Sequence, residues 1–307
     1  MATHKIEPER RTLHGHFSRD LPPVLQIEPG DTVEYRTLGA DWHIEPSHKF
    51  EPRDPVLDKG HALCGPIAIN GAKPGMTLEI HIGKIVPAPF GYTVAGGWSN
   101  ETNDWLGVGA GTEQFLLKWT LDVANNTGRD QFGHMLALRP FMGVMGMPPA
   151  EPGVHPTAPP RVTGGNIDCK ELVAGSTLYL PIAVEGGLFS VGDGHALQGD
   201  GEVCTTAIEC PMEQVSLTFN LRDDLPISTP RADTPVGQLT LGFHTSLQEA
   251  NMIALSAMLD LMMEQYGYSR LEALALASLV VDMHVTQIVN GVRGVHAILP
   301  HGVLDGA

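Results

Sequence analysis

The sequence predicts a mainly β, α+β fold: sandwich- or barrel-like β lobes, a C-terminal helix pair and a closing β-hairpin. Three observations carry this reading. Glycine and proline number 35 and 24 among 307 residues, so turns are frequent and strands short. Apolar residues alternate with polar ones over most of the chain. From Leu247 to Tyr266 the apolar spacing lengthens to that of a helix, and alternation returns around Asn290-Gly291.

The elements follow in order. VLQIE and TVEYRTL read as strands separated by the turn Pro29-Gly30-Asp31. PGDTVEY, PGMTLEI and AGSTLYL share one plan, a Gly turn, Thr, then alternating apolar residues, which suggests one hairpin entry used three times. Residues 39–62 carry prolines that no helix tolerates and read as a long functional loop holding His43, His48 and His61. Residues 87–113 read as a Gly-rich loop whose Phe90, Tyr92, Trp98 and Trp105 either wall a pocket or pack beneath the loop. QFLLKWTLDV and HMLALRPFMGVMG read as strands, and Pro140 ends the second. The Pro-rich stretch 147–162 reads as a linker between an N-terminal β-rich lobe, 1–146, and a catalytic β lobe with the helices, 163–307. STLYLPIAV, EVCTTAIE, QVSLTFNL and QLTLGFHTS read as strands. Gly267 stops the first C-terminal helix, and Ser269 with Glu272 has capping-box spacing for the second. Met252, Met258, Met262 and Met263 suit a core or an intersubunit face.

Composition narrows the function. A formal charge of -16 and a pI near 5.2 argue against nucleic acid or anionic lipid as partner, and favour a small-molecule substrate. The sequence has no apolar run long enough to span a bilayer, and MATHKIEPERRTLHGHF lacks the apolar core of a secretory signal. Cys64, Cys169, Cys204 and Cys210 form no Cys-x-x-Cys pair and read as reduced thiols, so a cytoplasmic location is expected.

The chemistry concentrates between Thr163 and Glu209. GGNID ends at Asp168; GDGH supplies Asp193 and His195; GDGE supplies Asp200 and Glu202. Glycines beside each acid permit tight turns and close approach of a ligand. Asp193 and His195 are two apart, so on an extended segment they share a side. Amide hydrolysis needs a nucleophilic water, stabilisation of an oxyanion and an acid for the departing amine. A divalent metal supplies the first two. Asp168, Asp193 and His195 form a ligand set compatible with zinc, and an oxygen-rich second site would suit calcium. Glu202 is placed to serve as base and then acid, with Asp193 also at the reaction centre. His48, His61, His134 and His284 are candidates to complete the site. The opposing reading is that each Gly-Asp-Gly is an ordinary turn, Asp200 most of all, and that His195 is a satisfied buried histidine. Cys169-Lys170-Glu171 has the residue types of a cysteine amidase, but neighbours on a strand face opposite ways. Gly-x-Ser-x-Gly and phosphate-loop motifs are absent.

GGNID, LVAGSTLYLPIAVEGG and GDGHALQGDGEV resemble the central motif of the acetamidase/formamidase family. GPIAINGAKPGMTLEIHI and PFMGVMGMPP resemble two further family motifs, with Met76 where the family usually has Asp. The resemblance implies a metal-associated hydrolase of short aliphatic amides, formamide or acetamide in type, acting as a homo-oligomer. Two other readings remain open on the residues alone: a cupin-like metal-dependent isomerase, lyase or oxygenase, and a non-catalytic small-molecule binder.

Overall fold

A computed structural model describes residues 1–51, 54 and 57–304. Pro52, Arg53, Pro55 and Val56 of the expected long loop lie outside the described residues. The fold is mainly β. One nine-stranded sheet runs, edge to edge, Thr3–Ile6, Thr32–Thr37, Met212–Arg222, Thr77–Pro87, Thr177–Pro181, Arg231–Thr234, Gly237–His244, Arg293–Leu299 and Asp282–Gln287. Strands from both sides of residues 147–162 therefore alternate within it. The three repeated phrases become the Thr32–Thr37, Thr77–Pro87 and Thr177–Pro181 strands, all in this sheet. Each alternates because one face packs on the core: Val33, Tyr35, Leu78, Ile80, Leu178 and Leu180 are buried.

A second sheet orders Gly164–Asn166, Phe141–Gly146, Phe189–His195, Leu63–Ile69 and Leu13–His14. Its three central strands are buried at every residue, so the sheet is enclosed on both faces. A four-stranded antiparallel sheet, Phe90–Ala95, Phe115–Asp122, Thr127–Asp130 and Met135–Ala137, lies at the periphery.

The helices are α1 (Glu101–Trp105), α2 (Leu247–Tyr266) and α3 (Arg270–Val280). Gly267 closes α2 in the left-handed conformation, φ 73°. Ser269 caps α3 and the Glu272 side chain returns to the Ser269 N–H, completing the capping box. Ala250, Ala254, Met258 and Met262 of α2 are buried in one apolar cluster with Val295, Ala297 and Leu299 of the terminal hairpin. The run of methionines is thus largely core, although Met252 is exposed.

Four readings are corrected. The GDGH stretch lies inside the buried Phe189–His195 strand, because Phe141–Gly146 and Leu63–Ile69 pair with it on either side. EVCTTAIE is an irregular turn segment; Glu209 and His195 form only an isolated bridge. Residues 87–113 hold the Phe90–Ala95 strand and α1 as well as loop. Within the long loop, His43–Glu45 and His48–Lys49 pair as a short hairpin.

Candidate active site

The buried second sheet brings the Gly-framed acids to one point. Asp168 follows the Gly164–Asn166 strand, while Asp193 and His195 lie on the Phe189–His195 strand, with Phe141–Gly146 paired between the two. The two side chains on that strand meet, with His195 Nε2 3.2 Å from Asp193 Oδ1. Glu202 and Glu209 arrive from the irregular segment that follows. Glu209 Oε2 stands 3.4 Å from the same His195 nitrogen. Candidate ligand atoms of Asp168, Asp193 and His195 all lie within 4.8 Å of one another, as do those of His195, Glu202 and Glu209. Every one of these five residues is buried.

The backbone is forced to achieve this. Asp168, Asp193 and Glu202 take positive φ of 53°, 60° and 45°, a region disfavoured for residues with a Cβ. Such strain persists only where the surroundings impose it, and it concentrates at functional sites. Gly143 forms the floor. A Cβ there would lie 2.5 Å from Asp193 Oδ2, 2.8 Å from Asp168 Oδ1 and 2.9 Å from His195 Cε1.

Hydrogen bonds orient the cluster. His195 Nδ1–H donates to Gln198 Oε1 at 2.9 Å, because an amide oxygen can only accept. The Gln198 amide nitrogen donates to the Asp168 carbonyl at 2.8 Å. Asn290 Nδ2 donates to Asp168 Oδ2 at 2.7 Å. Phe141 packs edge-on against the imidazole at 5.1 Å between ring centroids. With Nδ1 committed as donor, Nε2 turns toward the carboxylates and needs either a proton or a cation between them.

The charge balance makes the same point. Burial raises the carboxyl pKa values of Asp168, Glu202 and Glu209, and neighbouring carboxylates raise them further. For His195 burial opposes the charge, but Glu209 and Asp193 outweigh it and lift the imidazole well above its ordinary value. Burial likewise pushes Asp193 up, yet His195 and His61 overcome that and hold it ionised. Asp168 Oδ1, Glu202 Oε2 and Glu209 Oε2 are buried without hydrogen-bond partners. Orphaned carboxylate oxygens around an imidazole with its second nitrogen fixed fit a divalent cation of borderline character.

Asp193, Glu202 and Glu209 of the cluster, with Asn166 and Asn290, line a cavity of about 1050 Å³. The long 39–62 loop supplies much of its lining, including Trp42 and His61. Among the reserve histidines, His61 therefore reaches the cavity, with Nδ1 2.8 Å from Thr157 Oγ1. His48 is exposed, and His134 is mostly exposed with Nδ1 2.7 Å from Asp130. His284 stands 2.9 Å from Asp200, which Lys170 also reaches at 2.9 Å. Asp200 is thus an ion-pair centre and not simply a turn residue. The set Asp200, His284 and His296 lies within ligand distance, but two imidazoles and an ammonium are unlike the oxygen shell calcium takes.

Of the four aromatics expected near a pocket, Tyr92 lines this cavity, whereas Trp105 is largely exposed. Cys169 is buried, and burial pushes its thiol up to about 12, so it is no thiolate nucleophile. Lys170 and Glu171 separate toward Asp200 and Arg139. Glu209, Asn166, Asn290 and Gly143 escaped the sequence reading. Only Glu209 had a usable signal, an acid in the same dense stretch.

The sequence profile of the Acetamidase/Formamidase family matches residues 2–155 and 150–305. A formamidase of Methylophilus methylotrophus is 25% identical, the alignment covering 91% of this chain and 86% of that protein. An acetamidase of Mycolicibacterium smegmatis is 28% identical over 62% of this chain and 61% of its own. Among solved structures, an acetamidase from Yersinia enterocolitica superposes with a TM-score of 0.83 at 26% identity, covering 97% of this chain and 92% of its own. An acetamidase from Bacillus halodurans gives 0.84 at 24% identity, over 96% and 97%.

Proposed function

The chain belongs to the acetamidase/formamidase family and is an amidohydrolase, and on that premise we propose that it hydrolyses primary carboxamides, formamide and acetamide being the simplest, to a carboxylate and ammonia. The observation that carries the mechanism is the set of orphaned, buried carboxylate oxygens facing His195 Nε2. Asp168, Asp193 and His195 would hold a divalent metal, zinc by their donor chemistry. When bound, that ion supplies Lewis acidity and lowers the pKa of water.

The chain's own residues do the rest. Glu202 faces the cavity, and its raised pKa suits a group that takes a proton from water and returns it to the departing nitrogen. Gln198 fixes the imidazole tautomer so that Nε2 faces inward. Asn290 secures Asp168 Oδ2 and leaves Oδ1 for ligation. Tyr92, kept protonated by burial and then by Glu209 and Asp41, offers a hydroxyl donor on the cavity wall. The same reading includes a homo-oligomer in the cytoplasm. Exposed Leu271 and Leu279 of α3 support the first, and four free thiols the second.

Elemental analysis of freshly purified protein, with ammonia release measured before and after chelation, tests this reading. A stoichiometric divalent metal, loss of turnover on stripping and recovery with zinc are expected. Full turnover by stripped protein would remove the metal from the mechanism.

A further inference from the structure

The cavity is far larger than the simplest amides. Cavities of roughly 300–1,000 Å³ bury drug-sized ligands, and this one reaches about 1050 Å³. An amide of a few heavy atoms would leave most of that volume unfilled. We propose that this hydrolase, if the amidase reading holds, prefers amides bearing an uncharged aromatic group, seated against Trp42.

Three observations point there. Trp42 lines the cavity, and its ring is held in place: Nε1–H donates to the Gly60 carbonyl at 3.0 Å. Its backbone is forced as well, with φ 73°, an outlier for so bulky a residue. Among the described residues seven non-glycines have positive φ, and four of them, Trp42, Asp193, Glu202 and Thr205, line this cavity. Strain therefore occurs at Trp42 and Thr205 as well as in the acid cluster, as expected if both contact the ligand.

The second observation is the wall's chemistry. Tyr92 and Trp42 share the lining with Ala40, Leu57, Val154 and Pro156. A planar apolar group fits these surfaces, and aromatic pairing adds about 0.5–1.5 kcal/mol beyond area burial. The third is charge. Lys49 and Lys59 stand among Asp41, Glu51 and Asp58 at the wall, so neither sign dominates there. The acid cluster is crowded with carboxylates and repels an anionic substituent. The remaining class is a neutral aryl or arylalkyl carboxamide.

The experiment is ammonia release from formamide, acetamide, benzamide and phenylacetamide by the purified holoenzyme, read as kcat/KM. An aryl amide should exceed acetamide at least tenfold. Trp42→Ala should lower that aryl-to-acetamide ratio by roughly tenfold, and Trp42→Phe, which keeps a ring, should lower it less. The wild-type panel needs no variant to fold. Equal or better turnover of acetamide by the wild type, or an unchanged ratio in both variants, overturns the inference while leaving the amidase reading intact. No ammonia from any of the four sinks the amidase reading, and this inference with it.

Discussion

At the scale of single residues, the site is a set of buried acids crowded round one imidazole. Glu202→Gln keeps the shape and removes the proton carrier, so kcat should fall by about 10²–10⁴-fold while bound metal is retained. Elemental analysis alongside ammonia release checks both halves, and an active variant excludes Glu202 from proton transfer. Because Glu202 is buried among other carboxylates, the metal-stripped Glu202→Gln protein should also melt higher than stripped wild type. Gly143→Ala places a methyl group within 3 Å of Asp193, Asp168 and His195. Turnover and metal content should fall together, by about a hundredfold in kcat/KM. Asp168, Asp193, His195 and Glu202 were visible in the sequence because glycines frame them. Glu209 was hidden in what reads as a strand, and Asn290 because it comes from a hairpin 122 residues beyond Asp168.

Among the elements, those fixed by local chemistry were legible and those fixed by distant partners were not. Gly267 and the Ser269–Glu272 box mark their helix ends through contacts a few residues long. Ser269→Ala should therefore cost about 1 kcal/mol in denaturant unfolding. The burial of GDGH in a strand depends on two neighbours far away in sequence, so its glycines read as turns. The order of the nine-stranded sheet is likewise set by long-range pairing. The edge strand Thr3–Ile6 is secured by Asp31, which accepts from the Ala2 N–H at 2.6 Å and lies 3.1 Å from His4 Nε2. The Ala2 bond first, then His4, then Glu28 lower the Asp31 carboxyl from 3.8 to about 2. Its contribution is complete above the ordinary carboxylate range and is lost as pH falls through about 2. Hydrogen exchange in the Thr3–Ile6 strand should accelerate over that acid window in the wild type. Asp31→Asn should show fast exchange already at neutral pH.

For the whole molecule, surface and core are unevenly matched. Leu271 and Leu279 on α3, Phe115 and Met135 on the peripheral sheet, and Phe132 in the turn beside it, are exposed. Apolar groups gathered in this way commonly mark contacts between subunits. Light scattering should give a mass that is a multiple of one chain, and a Leu271→Glu, Leu279→Glu variant should shift it downward. A monomeric wild type at micromolar concentration would count against the homo-oligomer.

The turn carrying Glu202 is stitched to the terminal hairpin: Gly201 N–H donates to the Thr286 carbonyl, and Ile288 N–H donates to the Gly201 carbonyl, each at 3.1 Å. A ribosome delivers Asp168, Asp193 and Glu202 long before it delivers Thr286, Ile288 and Asn290. Nascent chains stalled ahead of that hairpin would carry the reactive acids without the clasp that aligns them, so catalysis would wait until the hairpin has emerged and folded.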